Sequence, residues 1–107
     1  MYEGDWINDK AEGNGKYIWK DGKYYIGQFK NDSRNGKGTM YYSDGNKYEG
    51  DFVNDKPEGN GKYIWKDGAY YIGQYKNGLE NGKGVLYNSN GDIILKGNWI
   101  NGKYIEN

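Results

Sequence analysis

Large and small residues alternate with period two along most of this chain. In the opening run Tyr2-Glu3-Gly4-Asp5-Trp6, the rings and the glycine share one parity and the two carboxylates share the other. A period of two predicts a β-strand, because neighbouring side chains in a strand point to opposite faces. Short Asp-Gly and Asn-Gly pairs recur between the alternating runs and predict hairpin turns; these pairs are Asp21-Gly22, Asp44-Gly45, Asp67-Gly68 and Asn90-Gly91.

The alternating pattern recurs every 23 residues, as Tyr2, Tyr25, Tyr48 and Tyr71 show. Residues 2–31 match residues 48–77 at all but five positions, which indicates a duplicated unit of two repeats. Periods of this length are typical of stacked repeat architectures. The prediction is an all-β fold, an elongated single-layer antiparallel meander of stacked β-hairpins with about nine strands. Its repeats are residues 2–24, 25–47, 48–70 and 71–94, followed by a partial terminal repeat at 95–107.

The register follows from keeping the large rings on one face. A three-residue loop with Gly22 in the left-handed conformation pairs Tyr17 with Tyr25, and it places glycine opposite glycine one pair further along. The other connection, residues 7–12, is predicted to be a longer loop that leaves Trp6 opposite Gly13. Pro57 is assigned to the equivalent loop of the third repeat. A proline at Ala11 is therefore expected to be nearly neutral.

This register creates a ring face, on which rows of large residues lie beside rows of glycine. Neighbouring strands are only about 4.8 Å apart, so a large ring from every strand cannot lie flat. Glycine beside each ring leaves a trough for it, and Gly27→Val or Gly50→Val should destabilise the fold. The row of large residues contains Tyr2, Tyr17, Tyr25, Met40, Tyr48, Tyr63, Tyr71, Leu86 and Leu95. The adjacent row contains Gly4, Gly15, Gly27, Gly38, Gly50, Gly61, Gly73, Gly84 and Gly97.

Composition narrows the possible functions. The chain has 15 basic and 15 acidic residues, and its formal net charge is zero. No run of basic residues stands out, so a lopsided basic surface and a nucleic-acid partner are not expected. Histidine and cysteine are absent, so the commonest acid–base and nucleophilic groups are missing and no catalytic residues, cofactor or metal site are expected. Absence of cysteine is compatible with a cytoplasmic location.

Four segments carry a family resemblance: "YEGDWINDKAEGNGKYIWKDG", "YIGQFKNDSRNGKGTMYYSDG", "YEGDFVNDKPEGNGKYIWKDG" and "YIGQYKNGLENGKGVLYNSNG". Each resembles the MORN (membrane occupation and recognition nexus) repeat in its Tyr-x-Gly-x-aromatic opening, its Gly-x-Gly and its closing turn. The resemblance implies a twisted sheet of hairpins and a noncatalytic role in scaffolding, dimerisation or placement of larger proteins at membranes or the cytoskeleton. Asn88 departs from the pattern where earlier copies have a ring, and the fifth copy, starting at Leu95, is one residue late.

The leading functional prediction is a noncatalytic scaffold or docking module that binds a partner protein segment or forms a homodimer. The face opposite the ring face, here called the open face, carries more apolar residues than a fully solvated face needs, and exposed apolar patches often mark interfaces. Its predicted partner-binding residues form two groups, Ile18, Tyr24, Ile26 and Tyr41, and then Ile64, Tyr70, Ile72 and Tyr87. A second set at the rim of the ring face comprises Trp19, Tyr42 and Trp65.

Two other functions remain open. The chain could be a phosphoinositide-binding or membrane-targeting module of a larger protein such as a lipid kinase. The segment from Lys16 to Lys37 is locally basic, but its excess over Asp21 and Asp32 is small, and stable attachment uses clusters of about 4–8 basic residues. Only weak contact with anionic lipids is therefore expected; the basic residues are Lys16, Lys20, Lys23, Lys30, Arg34 and Lys37. A choline-binding or cell-wall repeat also uses Trp, Tyr and Asp-Gly, but the Tyr-x-Gly-x-aromatic opening argues against it.

Overall fold

A computed structural model describes residues 1–105 as one open antiparallel sheet of ten strands that follow one another in chain order. The molecule is elongated, with dimensions of 47 × 24 × 18 Å. The strands are β1 Tyr2–Ile7, β2 Lys10–Ile18, β3 Tyr24–Lys30, β4 Ser33–Tyr41, β5 Lys47–Val53, β6 Lys56–Ile64, β7 Tyr70–Lys76, β8 Leu79–Tyr87, β9 Ile93–Ile100 and β10 Lys103–Ile105. The predicted all-β meander is confirmed, with ten strands instead of about nine. The last two residues of the predicted partial repeat 95–107 lie outside the described residues.

The three-residue loops form as predicted. At the first one, the Trp19 amide donates to the Lys23 carbonyl at 3.0 Å, and the Gly22 amide donates to the Trp19 carbonyl at 3.1 Å. Gly22 has a φ of +96°, a conformation that glycine adopts at little cost. Asp21 closes the loop by accepting the Lys23 amide at 3.0 Å.

Strand pairing on both sides of these loops follows the predicted register. Tyr17 pairs with Tyr25, and Gly15 pairs with Gly27. The late start of the fifth copy is absorbed by a register shift between Leu86 and Tyr87, so that Leu86 still pairs with Leu95.

The other connection is not the predicted long loop. It is a two-residue turn at Asn8-Asp9, in which both residues have positive φ, 53° and 65°, the geometry of a type I′ hairpin turn. Ile7 pairs with Lys10, and Trp6 pairs with Ala11 instead of Gly13. Equivalent asparagines with positive φ lie at the later turns, Asn31, Asn54, Asn77 and Asn101. The turn at Asn101 adds the tenth strand.

A bulge takes up the residues predicted to form the rest of that loop. The register shifts between Gly4 and Trp6, which leaves Asp5 opposite the extra residues of β2. Gly13 within the bulge has a φ of +77°, and the Asp5 carboxylate accepts the Asn14 amide at 3.2 Å. The positive φ of the backbone is what requires glycine at this position; no ring lies beside it. The other bulges have the same property at Gly36, Gly59 and Gly82.

Tyrosine rings lying over glycine form the core of the ring face, as predicted for the continuous glycine row. The Tyr48 side chain is fully buried and lies over Gly61, where a Cβ atom would come within 2.6 Å of the ring. The ring makes edge contacts with Phe52 and Tyr75 at centroid distances of 5.2 and 5.0 Å. Its hydroxyl donates to the Asp51 carbonyl at 2.9 Å, so the polar end of the buried side chain is satisfied.

Pro57 lies in strand β6 and pairs with Phe52, so its predicted place in a loop is wrong. At the equivalent position of the first repeat, the Ala11 amide donates to the Asp32 carboxylate at 2.6 Å. Pro57 has no amide hydrogen, and the residue equivalent to Asp32 is Gly78, which has no carboxylate. The expectation that Ala11→Pro is neutral is therefore wrong, because proline would remove a donor that is in use.

Candidate functional site

Six of the predicted partner-binding residues lie in one continuous row across the open face. Each residue is paired with the next on the neighbouring strand. The open-face row consists of Ile18, Tyr24, Tyr41, Lys47, Ile64, Tyr70, Tyr87 and Ile93. The two predicted groups are thus joined through Lys47. Ile93 is absent from the predicted set because the one-residue slip of the fifth copy hides its position.

Two stacked tyrosine pairs lie in this row. The rings of Tyr24 and Tyr41 have centroids 4.5 Å apart and planes 16° apart. Tyr70 and Tyr87 repeat the arrangement at 4.7 Å and 18°. Such pairs contribute about 0.5–1.5 kcal/mol beyond the burial of their area. The side chains are therefore ordered before any partner arrives, which lowers the entropy cost of binding.

Lysine ammonium groups lie over three of these four rings, those of Tyr24, Tyr41 and Tyr70. Lys16 Nζ lies 4.9 Å from the Tyr24 centroid, and Lys62 Nζ lies 4.8 Å from that of Tyr70. Lys47 Nζ lies 5.8 Å from the Tyr41 centroid. Cation–π contacts of this kind are attractive even at exposed sites. At Tyr24, Tyr41 and Tyr70 the ring edges, and not the ring faces, remain open to a partner.

A second row beside the first carries the other predicted residues. Ile26 and Ile72 are 46% and 45% exposed, and Ile72 pairs with Val85 on the next strand. Together with Lys83, Lys96, Asn98 and two glycines, Ile72 and Val85 line a shallow groove of about 520 Å³. The groove lies in the C-terminal half of the open face. Its apolar floor and charged walls suit a side chain that is apolar and flanked by polar groups.

The predicted rim residues lie on the ring face and not beside the open-face row. Trp19 packs against Tyr17 at a centroid distance of 4.6 Å, and Trp65 packs against Tyr63 at 4.9 Å. Tyr42 contacts Tyr63 from the other side at 5.9 Å. One ligand on the open face cannot reach this set.

Asn88 replaces the ring at the fourth rim position. Its side-chain oxygen accepts the amides of Asn90 and Asp92 at 2.9 and 3.0 Å. The departure from the repeat pattern therefore stabilises the last three-residue loop.

The six residues of the lipid hypothesis do not converge on one surface. Arg34 lies on the ring face, with its Nε 3.1 Å from an Asp55 carboxylate oxygen and its guanidinium 5.2 Å from the Trp19 ring centroid. Lys20 and Lys23 lie at the first three-residue loop, and Lys23 is 3.9 Å from Asp21. The remaining three, Lys16, Lys30 and Lys37, are on strands and face the open side.

Within residues 1–105, the pKa values that depart clearly from their usual range belong to tyrosines of the ring face. Burial raises the pKa of the Tyr25 hydroxyl to about 12, and it raises that of Tyr71 to about 12. Burial also raises the pKa of Tyr75, whose hydroxyl is the buried side-chain oxygen without a hydrogen-bond partner among the described residues. These shifts arise from core packing, since all three residues are buried.

Metal ligation is not supported by the arrangement of side chains. No group of three or more His, Cys, Asp or Glu residues within 1–105 is placed to hold an ion. That same part of the chain contains no helix that is long and apolar enough to cross a membrane.

One family model matches the chain four times. The MORN repeat model matches residues 2–24, 25–47, 48–70 and 71–93. These matches cover the hairpins from β1 to the beginning of β9, including the whole of both stacked tyrosine pairs.

Proposed function

The chain belongs to the MORN repeat family, whose repeats bind proteins and membranes, and from that premise we propose that it is a noncatalytic docking module for a segment of a partner protein. The segment lies on the open face. The observation that carries this proposal is the open-face row, in which seven apolar or aromatic side chains and Lys47 follow one another across eight paired strands, and in which two tyrosine pairs are stacked. Exposed apolar area of this kind marks interaction surfaces more often than catalytic ones.

The sheet has two faces, and packing within the chain buries only one of them. Tyr25, Tyr48 and Tyr71 on the ring face are at most 1% exposed, whereas Ile26 and Ile72 on the open face remain nearly half exposed. Covering such side chains is favourable by about 25 cal/mol per Å² of apolar surface. A bound segment would provide that cover.

The noncatalytic part of the proposal is supported by how the open-face carboxylates are used. Asp51 forms an ion pair with Lys37 at 2.9 Å, and Glu49 lies 3.9 Å from Lys47. Catalytic carboxylates are usually buried and unequal in environment. These carboxylates lie on a solvated strand face and interact with lysines of neighbouring positions in the sheet.

A display library of random peptides tests the docking proposal, because selection from it requires no identified partner. Peptides selected on the parent protein are measured again on a variant with Tyr24, Ile26, Tyr70 and Ile72 all replaced by serine. We expect binding to the variant to fall at least tenfold. Near-ultraviolet circular dichroism shows whether its fold is retained.

A matched variant on the ring face, with Trp19, Tyr42 and Trp65 replaced by serine, serves as the comparison. Loss of binding only in this second variant would place the contact on the rim and refute the open-face assignment. Light scattering of the parent protein addresses self-association. A dimer that dissociates in the open-face variant would identify a second copy, and not a partner segment, as the occupant.

A further inference from the structure

Strand pairing collects most of the lysines on one face of a chain whose formal net charge is zero. Alternation along the strands and the cross-strand pairs assign eleven of the 15 basic residues to the open face. They are Lys10, Lys16, Lys30, Lys37, Lys47, Lys56, Lys62, Lys76, Lys83, Lys96 and Lys103. Composition predicts no lopsided basic surface, but the pairing creates one.

Few carboxylates offset these lysines. Four lie on the strands of the open face, Glu3, Asp5, Glu49 and Asp51, and the bulge residues Glu12 and Glu58 are counted with them. The open face then has a formal charge of +5, from eleven lysines and six carboxylates. The ring face, turns and loops of residues 1–105 have a formal charge of −4, from four basic and eight acidic residues. The sheet is therefore electrically polarised across its thickness.

One lysine of each hairpin flanks its asparagine turn, and these lysines form a strip along one edge of the open face. They are Lys10, Lys30, Lys56, Lys76 and Lys103, all exposed. They lie on β2, β3, β6, β7 and β10, so neighbouring lysines of the strip are alternately one and three strands apart, which is about 4.8 and 14 Å. Aliphatic side chains at the same turns, such as Ile7 at 58% and Val53 at 47% exposure, lie beside the lysines.

We propose that the open face recognises an acidic, extended polypeptide segment that runs along the long axis of the sheet. This inference rests on the proposed docking function and names the chemistry of the partner. The open-face row borders the three-residue loops and the lysine strip borders the asparagine turns, so Tyr24 and Lys30 are six residues, about 20 Å, apart on β3. The segment would lie between them, with its apolar side chains against Ile26, Ile72 and the open-face row and its carboxylates against the lysines of the strip. A fully extended segment of about 14 residues spans the 47 Å length of the molecule.

The stacked tyrosines disfavour a nucleic acid as the occupant. Single-stranded nucleic acids bind aromatic platforms by stacking bases on free ring faces. One face of Tyr24 is covered by Tyr41, and a second group, the Lys16 ammonium, lies over the ring. Tyr70 is covered in the same way by Tyr87 and Lys62. The open ring edges suit aliphatic side chains instead.

The twist of the sheet disfavours a lipid bilayer as the partner of the open face. Adjacent strands of a sheet are rotated by roughly 20°, so ten strands turn through roughly 180°. A planar membrane surface can contact only a part of a face that turns this far. An extended polypeptide can follow the rotation and contact lysines from the first hairpin to the last.

Fluorescence anisotropy with a labelled peptide of alternating glutamate and valine, about 14 residues long to match the sheet, tests the inference. We expect binding that weakens at least tenfold between about 50 and 300 mM salt, because added salt screens exposed charges. A lysine–valine peptide, oligothymidylate and vesicles containing phosphatidylserine should each bind at least tenfold more weakly. Tighter binding of the oligonucleotide or the vesicles would overturn the assignment.

Charge reversal at three strip lysines, Lys30→Glu, Lys56→Glu and Lys76→Glu, should weaken binding of the acidic peptide at least tenfold. The matched control reverses Lys20, Lys23 and Lys66, which are three loop lysines, and changes net charge equally. The control should lose less than threefold. Equal losses in both variants would show that overall charge, and not the open face, governs binding.

The same variants separate the two proposals. Neutral library peptides that need Tyr24 and Tyr70 but are unaffected by the strip variant would leave docking intact and overturn the acidic segment. Failure of every peptide to bind the open face would refute docking itself. If circular dichroism shows that the glutamate variant unfolds, the same comparison is made with glutamine at the six positions.

Discussion

Gly61→Ala tests whether the glycine rows exist to accommodate the tyrosine rings. The three atoms nearest to a Cβ at this position all belong to the Tyr48 side chain, and Cζ would be only 2.6 Å away. Alanine in a strand is otherwise better than glycine by about 0.5–1 kcal/mol, because glycine loses more conformational freedom on folding. Without the clash, the substitution would stabilise the protein. Whether Gly61→Ala raises or lowers the free energy of unfolding therefore decides whether the glycine makes room for the ring.

The expected loss follows from what Tyr48 would give up. Expelling its ring would expose roughly 200 Å² of contact area, which at about 25 cal/mol per Å² costs roughly 5 kcal/mol. Losing the hydroxyl bond to the Asp51 carbonyl adds about 1 kcal/mol. These figures are upper bounds, because the ring can tilt and retain part of its contact with Phe52. We expect a net loss of about 3 kcal/mol, within the range for overpacked cores.

Equilibrium urea denaturation followed by tryptophan fluorescence measures this loss. A background of Tyr48→Leu provides the control, since Leu95 already occupies the equivalent position of the fifth repeat. In that background Gly61→Ala should be neutral or slightly stabilising. A free energy of unfolding that is unchanged or raised by Gly61→Ala alone would refute the trough explanation.

Three further predictions concern the hydrogen bonds and ionisation of the core. Ala11→Pro should lower the free energy of unfolding by about 1–2 kcal/mol, because it removes the amide donor to Asp32; in an Asp32→Gly background the loss should be below about 0.5 kcal/mol. Tyr75→Phe should raise it by up to about 1 kcal/mol, because the Tyr75 hydroxyl is buried without a partner. The contribution of Tyr25 and Tyr71 to stability should be fully present below pH 10 and be lost as pH approaches 12, because burial raises the pKa of both from 10 to about 12 and the unfolded chain therefore loses protons first.

Each of these outcomes has a clear contrary result. Additive losses from Ala11→Pro and Asp32→Gly in urea denaturation would show that the two residues do not interact. A destabilised Tyr75→Phe variant would reveal a partner for the hydroxyl. Tyrosinate absorbance that rises around pH 10 for all tyrosines, with circular dichroism unchanged, would contradict the burial of Tyr25 and Tyr71.

Charge placement shows most clearly why composition is a weak guide to the surface of a sheet protein. Net charge is a sum over the chain and carries no information on which face a residue occupies. Lys30 and Lys56 both flank an asparagine turn in the structure, but they occupy different positions in their repeats. Only the pairing of Lys30 with Ser33 and of Val53 with Lys56 places them in one strip.

By itself, the sequence determined the all-β meander, the three-residue loops and the adjacent rows of large residues and glycine on the ring face. Strict alternation, repeated every 23 residues, permits only one register that keeps Tyr17 and Tyr25 on the same face, because a slip of one residue would expose every ring. The glycine at position 22 then fixed the loop length. These features depend on local conformation and on a pattern that is repeated often enough to be unambiguous.

Only the tertiary structure decided the asparagine turns, the bulges and the composition of the open face. Alternation stops between Ile7 and Gly13, so periodicity could not reveal whether this segment is a loop or a turn followed by a bulge. Asn77-Gly78 and Asn101-Gly102 were the available signals, since Asn-Gly is a strong type I′ turn motif, but each pair is equally compatible with a longer loop. The bulge adds residues to one strand only, and this resets which residues pair beyond it. The lysine strip lies beyond the bulges and follows from that pairing, which depends on contacts between strands and not on any single segment. The open-face row lies beside the three-residue loops, where the predicted register holds, and only its last member, Ile93, depends on the register shift in β8 and β9.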